Sequence, residues 1–164
     1  MATNSMMKPA SELIIIPFRQ EDLASVFELE QLSFTDPYPW WLLAELARKN
    51  PATFLVAKLK DRVVGYAIID GSEDYYHLVS IAVHPEFRRT GVATGLLQAL
   101  EEHLTHSGLV RLEVRESNHA AIQFYVKHGF EKKDIVPGYY ADGENAITME
   151  RQERNREVSR LSCL

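Results

Sequence analysis

The sequence predicts a mixed α/β domain in which helices pack against a central sheet. Two observations support this prediction. Hydrophobic periodicity switches between that of strands and that of helices, and the segments follow the order β-α-α-β-β-β-α-β-α-β-β. The chain has 164 residues, 46% hydrophobic and 25% charged, which is typical of one soluble globular domain. We expect that domain over residues 11–150, after a loose leader over 1–10 and before a charged tail over 151–164.

The first segments are a strand and two helices. An apolar run predicts a strand over residues 13–18. Apolar residues at i, i+3, i+4 spacing then predict a helix over 21–33. Pro37 and Pro39 interrupt this helix, and a second, shorter helix is predicted over 40–48.

Three strands are predicted next. Runs of β-forming residues over 54–60 and 63–70 are separated by Asp61-Arg62, which indicates a hairpin. A third strand is predicted over 75–84, where Pro85 closes it.

The second half begins with a stripe of apolar residues that predicts a helix ending near Gly108. A strand is predicted over 109–115, and a helix over 120–128 ends before a glycine suited to a left-handed C-cap. Two strands, over 130–136 and 144–150, complete the order. The stripe consists of Val92, Leu96, Leu97, Leu100 and Leu104.

Charge and composition argue against several functions. A net charge of −5 argues against the broad basic surface with which proteins bind nucleic acid directly. The basic pairs Arg88–Arg89 and Lys132–Lys133 suit a small phosphate ligand better than a duplex. The six histidines lack zinc-site spacing, so we expect no metal and interpret them as surface or supporting residues.

The sequence shows no sign of a membrane segment or a secretion signal. Its first apolar run is too short to span a bilayer, and the first residues lack the features of a signal peptide. The single cysteine, Cys163, excludes an internal disulfide and suits a reducing compartment. We therefore expect a cytoplasmic protein without membrane contact.

The most informative stretch is residues 80–100, where a strand ends, a turn follows and a helix opens at Gly91-Val92-Ala93. Small residues allow the backbone to approach a ligand closely. The free amides of a helix N-terminus, with Arg88 and Arg89 beside them, suit a pyrophosphate. A basic turn before an amphipathic core helix explains the same residues equally well.

Three blocks in the chain, taken together, carry a family resemblance. The first is RRTGVA at 88–93; the second is LEVR at 112–115 with Asn118 and AIQFYVKHGF at 121–130. The third is GYY at 138–140 with DGENA at 142–146, in which Asn145 replaces an acid. In this order they resemble the GNAT superfamily of N-acetyltransferases, and most of all its RimI-type enzymes, which acetylate protein N-termini. The resemblance covers roughly residues 12–150, and residues 33–41 also resemble archaeal members.

The resemblance implies a GNAT fold: a mixed, mostly antiparallel sheet that is bulged and splayed at its fourth strand, with helices on both faces. It implies acetyl-CoA as cosubstrate, with the strand backbone holding the acetyl and pantetheine portion and the loop amides holding the pyrophosphate. The cofactor-binding residues that it implies are Ile81, Ala82, Val83, Arg88, Arg89, Thr90, Gly91, Val92, Ala93, Thr94 and Asn118. On the side chains alone, residues 81–83 are equally a buried central strand.

Two residues are candidates for acid–base catalysis. Alternation along the strand separates Glu113 from the buried Leu112 and Val114; by itself this pattern indicates an ordinary solvated glutamate. The resemblance instead implies that Glu113 is the general base. It also implies that Tyr125 is the acid that protonates the leaving thiolate, a role compatible with packing of its ring against the sheet.

Aromatic residues are candidates for the substrate groove. Tyr139 and Tyr140 resemble groove tyrosines of N-terminal acetyltransferases, and Phe34 and Tyr38 are candidates for the other wall, although packing explains all of them. Either of two acids, Glu30 or Asp36, is a candidate partner for a substrate ammonium, and the sequence does not choose between them.

The function that these expectations define is acetyl transfer to the α-amino group of a protein N-terminus, with ribosomal or nascent chains as substrates and association with the ribosome. No cysteine stands where an acetyl-enzyme could form, so we expect direct attack in a ternary complex. Two alternatives stay open: acetylation of a lysine or a small amine, and a non-catalytic acyl-CoA-binding regulatory subunit.

Overall fold

The computed structural model describes residues 12–106 and 108–153, which contain four α-helices and seven strands. The helices are α1 Leu23–Ser33, α2 Trp40–Lys49, α3 Val92–Glu102 and α4 His119–Lys127. The strands are β1 Leu13–Pro17, β2 Phe54–Leu59, β3 Arg62–Gly71, β4 Tyr75–Val83, β5 Gly108–Arg115, β6 Glu131–Val136 and β7 Ala146–Glu153. The predicted order of strands and α-helices is confirmed; two short 3-10 helices, at 20–22 and 85–87, lie between them.

The sheet is bulged and splayed at β4. Its strands lie in the order β1-β2-β3-β4-β5-β7-β6, and only β4 and β5 run parallel. Their pairing ends where His77 lies opposite Arg111, so the second half of β4 has separated from β5. On its other edge β4 pairs with β3, and the register shift there leaves Val79 as an extra residue. The expected GNAT geometry is therefore confirmed, and the gap between β4 and β5 is where the site lies.

Helices cover both faces of the sheet. Alternating residues of β2 and β3 divide between two apolar clusters, because successive strand side chains point to opposite faces. Phe54, Val56 and Tyr66 belong to the cluster that α1 and α2 cover. Leu55 and Ala67 belong to the larger cluster that α3 and α4 cover. In α3, the side chains of Leu96, Leu97 and Leu100 are fully buried, and each contributes about 1.5–3 kcal/mol to stability.

Two predicted boundaries are wrong. The helix α3 ends at Glu102 instead of near Gly108, because the imidazole of His103 binds the carbonyl of Ala99 (2.8 Å) and its amide turns to Leu100. The hairpin turns at Lys60 and Asp61 instead of Asp61-Arg62, because Lys60 adopts a positive φ of 55°.

The last strand is also displaced. It begins at Ala146 instead of Glu144, and it continues to Glu153. Glu144 is outside the strand because its carboxylate accepts the amide of Ser117 (3.0 Å) and pairs with Arg115. The expected leader, and the expected tail beyond residue 153, lie outside the described residues. Among those described, no helix has the length and hydropathy to cross a membrane.

Candidate active site

A cavity of about 530 Å³, here called the cofactor groove, lies at the end of β4. It runs between that strand, the loop before α3 and one face of α4. Nine of the eleven predicted cofactor-binding residues line it: Ile81, Ala82, Val83, Arg88, Arg89, Gly91, Val92, Ala93 and Thr94. Thr90 does not line it, because its hydroxyl donates to the carbonyl of Phe87 and turns the side chain back into the loop.

The loop before α3 is held by its own contacts. Arg89 and Gly91 both have a positive φ, 60° and 89°, and Gly91 caps the helix. A methyl group at Gly91 would meet nothing within 4 Å, so glycine is required there for backbone conformation and not for space. Arg88 donates to the carbonyl of Val83 (3.1 Å) and holds the loop against β4.

This geometry fits a nucleotide thioester. The amides of the first turn of α3 have no partner within the helix, and residues 92–94 lie in the groove. Beyond His77, the edge of β4 that faces β5 is not paired with it, so its backbone can pair with an extended pantetheine arm.

The face of α4 completes the groove and was missed by the sequence reasoning. Phe124, Lys127 and His128 line the cavity, and the hydroxyl of Thr94 lies 3.1 Å from Nε2 of His128. Their spacing of three and four residues along a predicted helix is a signal that would have identified this face.

A second cavity, about 180 Å³, occupies the gap between β4 and β5 and is here called the splay cavity. Both predicted catalytic residues and all four predicted substrate residues line it: Glu113, Tyr125, Phe34, Tyr38, Tyr139 and Tyr140. Asn118 lines this cavity and not the cofactor groove, and its side chain caps α4 by accepting the amide of Ala121 (3.1 Å). The two cavities share Ile81, Ala121 and Tyr125, so they meet at the tyrosine.

Glu113 is paired with a histidine. Nε2 of His77 lies 2.7 Å from a carboxylate oxygen of Glu113, and both side chains line the splay cavity. This hydrogen bond holds the pKa of Glu113 below its ordinary value, so the group is a carboxylate at neutral pH. The sequence by itself indicates only a surface or supporting role for this histidine. His77 meets Glu113 through the parallel β4–β5 pairing, which no local signal in the sequence specifies.

A second carboxylate in this cavity is deeply buried. Glu30 accepts the amide of Tyr38 (2.9 Å) and the hydroxyl of Tyr66, and burial raises its pKa to about 7. Of the two acids that the sequence left open, Glu30 is therefore buried, whereas Asp36 is half-exposed and pairs with Arg115 (2.9 Å).

Tyr125 is both packed and placed at the junction of the cavities. Its ring lies edge-on to Phe124 and Phe130, at centroid distances of 5.4 and 5.6 Å. Burial raises the pKa of its phenol, so the hydroxyl stays protonated throughout the physiological range. The ring of Tyr125 is therefore packed against its neighbours. Its phenol also keeps the proton that a general acid must donate.

Among the described residues, no group of three or more histidine, cysteine or acidic side chains could hold a metal ion. The site consists of a loop that presents free amides at a helix N-terminus, an open strand edge and a cavity with carboxylates and phenols. Residues 21–130 match the acetyltransferase (GNAT) family. The chain belongs to the GNAT family. Acetyl-CoA is accordingly its acetyl donor.

Named relatives are similar over most of their length. An N-alpha-acetyltransferase of Saccharolobus solfataricus is 34% identical over 148 residues, which cover 81% of this chain and 89% of the relative. Ard1 from Thermoplasma volcanium has a solved structure with a TM-score of 0.82 and 35% identity, covering 87% of this chain and 99% of the other. The ribosomal-protein-S18-alanine N-acetyltransferase from Escherichia coli gives a TM-score of 0.76 and 28% identity, covering 88% and 96%.

Proposed function

We propose that this GNAT enzyme transfers the acetyl group of acetyl-CoA to the free α-amino group of a protein N-terminus. One observation carries the proposal: a cavity with aromatic walls and several carboxylates opens onto the cofactor groove at Tyr125. An amine that lies in the splay cavity therefore faces the end of the groove where the thioester would lie. The N-alpha-acetyltransferase of Saccharolobus solfataricus supports the same substrate class.

We propose a place for each part of acetyl-CoA among the residues that line the cofactor groove. The loop amides and the first turn of α3 bind the pyrophosphate, with Arg89 adding charge. The open edge of Ile81–Val83 pairs with the pantetheine arm. When bound, acetyl-CoA supplies an activated acetyl group whose carbon–sulfur bond breaks as the new carbon–nitrogen bond forms.

The fraction of each amine that is neutral at pH 7 favours an α-amine over a lysine as the acetyl acceptor. A free α-amino group has a pKa of about 7.7–8.0, so roughly a tenth of it is neutral at pH 7, whereas a lysine at about 10.4 is almost wholly charged. Glu113 is a weak base because its pKa is lowered by His77. It can take a proton, directly or through a water molecule, from an amine that releases one readily.

Tyr125 supplies the second proton. Its hydroxyl is protonated and lies where the two cavities meet, so it can donate to the thiolate that leaves as CoA. No cysteine lines either cavity among the described residues. The amine therefore attacks the thioester directly while both substrates are bound.

Ribosomal or nascent proteins are the substrates that we propose, with the cytoplasm as location and with ribosome association as part of the function. The similarity to the ribosomal-protein-S18-alanine N-acetyltransferase from Escherichia coli supports this choice.

Three matched peptides test the proposal. One has a free N-terminus and no lysine, one has a blocked N-terminus and a lysine, and one has both amines. We expect acetylation of the first and third, at the α-amine, by mass spectrometry after digestion. Reaction of only the blocked, lysine-bearing peptide would overturn the proposal, and turnover of none with tight acetyl-CoA binding would indicate a small-amine acceptor or a non-catalytic subunit.

A further inference from the structure

Arg115 is the most highly connected charged side chain at the mouth of the splay cavity. Its Nη1 donates to Asp142 (2.9 and 3.1 Å) and to Glu144 (2.7 Å), and its Nη2 donates to Asp36 (2.9 Å). Its guanidinium also lies 4.0 Å from the centre of the Tyr140 ring. The side chain of Arg115 is only 16% exposed, whereas those of Asp36 and Asp142 are 45% and 51% exposed.

The partners of Arg115 come from two segments, and aromatic side chains of both segments line the cavity as its walls. Asp36 lies in the segment between α1 and α2, next to Phe34 and Tyr38. Tyr140, Asp142 and Glu144 lie in the segment between β6 and β7. The guanidinium of Arg115, on β5, forms ion pairs with both segments.

We propose that Arg115 is a positioning residue that holds both walls of the peptide groove at the separation a substrate N-terminus requires. We call Arg115 with Asp36, Tyr140, Asp142 and Glu144 the Arg115 clamp. This inference rests on the proposed function, because it concerns the groove in which the peptide lies. The clamp acts through the walls and does not contact the cofactor groove, so it sets peptide affinity and leaves acetyl-CoA affinity unchanged.

The Glu144 arm of the clamp stays charged at neutral pH. Glu144 accepts the amide of Ser117 as well as Arg115, and these bonds lower the pKa of Glu144 to about 2. Asp142 also accepts the amide of Glu144 (3.0 Å), which fixes the turn between β6 and β7. One wall is therefore built as a rigid turn whose carboxylates face a single cation.

The strand β5 offers a matched control. Arg111 lies on the same face of β5, pairs with Glu150 through two bonds (2.7 and 2.9 Å) and stacks on Tyr75 at 5.1 Å. It has the same kinds of contact as Arg115, but it does not line the splay cavity. A substitution of Arg111 therefore measures the effect of losing an arginine–carboxylate pair on this strand without loss of the clamp.

The test compares Arg115→Gln, Arg115→Lys and Arg111→Gln in the full chain, with a peptide that bears a free N-terminus. For Arg115→Gln we expect the peptide KM to rise about tenfold, with kcat and the acetyl-CoA KM within about twofold of the parent. Arg115→Lys rescues only part of this loss, since an ammonium cannot pair with both walls and stack on Tyr140. Arg111→Gln leaves both KM values within about twofold. A normal peptide KM in Arg115→Gln, or an equal rise in both KM values, would overturn the inference.

Hydrogen exchange tests the clamp without catalysis. In the unliganded protein, Arg115→Gln should accelerate exchange at residues 34–38 and 139–145, and Arg111→Gln should not. Asp36→Asn removes only the Arg115–Asp36 ion pair and should accelerate exchange mainly at residues 34–38. This variant keeps the test usable if Arg115→Gln fails to fold. Equal exchange in all variants refutes the clamp. A parent enzyme that acetylates no peptide refutes the proposed function, while the exchange result still decides on the clamp.

Discussion

The cofactor groove and the splay cavity are built in different ways. Most of the groove comes from one continuous segment, residues 81–94, whose backbone conformation creates the binding surface. The splay cavity gathers side chains from several separate segments, and hydrogen bonds and charge pairs between those segments hold it together. We therefore expect changes in the groove to act on acetyl-CoA affinity and changes in the cavity to act on the amine. Among the lining residues, Ile81, Ala121 and Tyr125 belong to both.

The largest change in kcat should come from a substitution of Glu113. Glu113→Gln should lower kcat about 10³-fold at pH 7 because the attacking amine loses its base. The loss should shrink as pH rises toward 9, where more of the α-amine is already neutral. Acetyl-CoA affinity, measured by calorimetry, should not change. Equal loss at both pH values would contradict a role as base.

A smaller loss of kcat is expected for a substitution of Tyr125, where the two cavities meet. Tyr125→Phe keeps the packing and should lower kcat about 100-fold, near the lower end for an acid catalyst, because a thiolate is a good leaving group even without a proton donor. Steady-state kinetics and calorimetry together measure this. Acetyl-CoA affinity should stay nearly constant, and a fully active variant would remove Tyr125 from the mechanism.

A pair of glycines tests the division between the two regions directly. Gly91 in the groove and Gly143 in the turn before β7 have almost the same φ, 89° and 88°, and neither lacks room for a methyl group. Alanine at either position carries a strain of about 1–2 kcal/mol.

Gly91→Ala should weaken acetyl-CoA binding about tenfold with little change in peptide KM, and Gly143→Ala should do the reverse. Calorimetry and initial rates report the two quantities. If both variants weakened the same substrate, the two regions would not be independent.

The smallest effect concerns stability. Burial raises the pKa of Glu30 from about 4.5 to about 7, so between these values the folded protein holds a proton that the unfolded chain releases. The free energy of unfolding should therefore fall as pH rises through this window, by about 1–2 kcal/mol. Glu30→Gln should remove this decrease in urea titrations at pH 5 and pH 8, and the exposed Glu45→Gln should retain it. If the unfolding free energy of Glu30→Gln fell by the same amount between pH 5 and pH 8, another titratable group would be responsible.

The cofactor groove was largely predictable because its signals are local. The apolar stripe of α3, the small residues that open it and the two arginines before them lie within one short stretch. Even here, the sequence does not tell that the side chain of Thr90 turns back onto the carbonyl of Phe87, so the role predicted for Thr90 stays a prediction for its backbone amide.

The splay cavity was predictable only in part. The family blocks contain Glu113, Tyr125, Tyr139 and Tyr140, all of which line the cavity. By contrast, the His77 contact, the burial of Glu30 and the pairing of Arg115 with Asp36 depend on contacts between residues 36 to 79 positions apart. Strand register and the packing of loops decide such contacts, and neither has a local signature in the sequence. The same reason explains the displaced start of β7, where Glu144 serves the cavity instead of the strand.

We propose that an amine in one cavity and a thioester in the other meet at Tyr125. A conjugate in which an acetyl bridge joins the sulfur of CoA to a peptide N-terminus tests it by calorimetry. We expect it to bind at least about 100-fold more tightly than CoA or the peptide alone, since it occupies both cavities at once. Binding no tighter than that of CoA would contradict the claim.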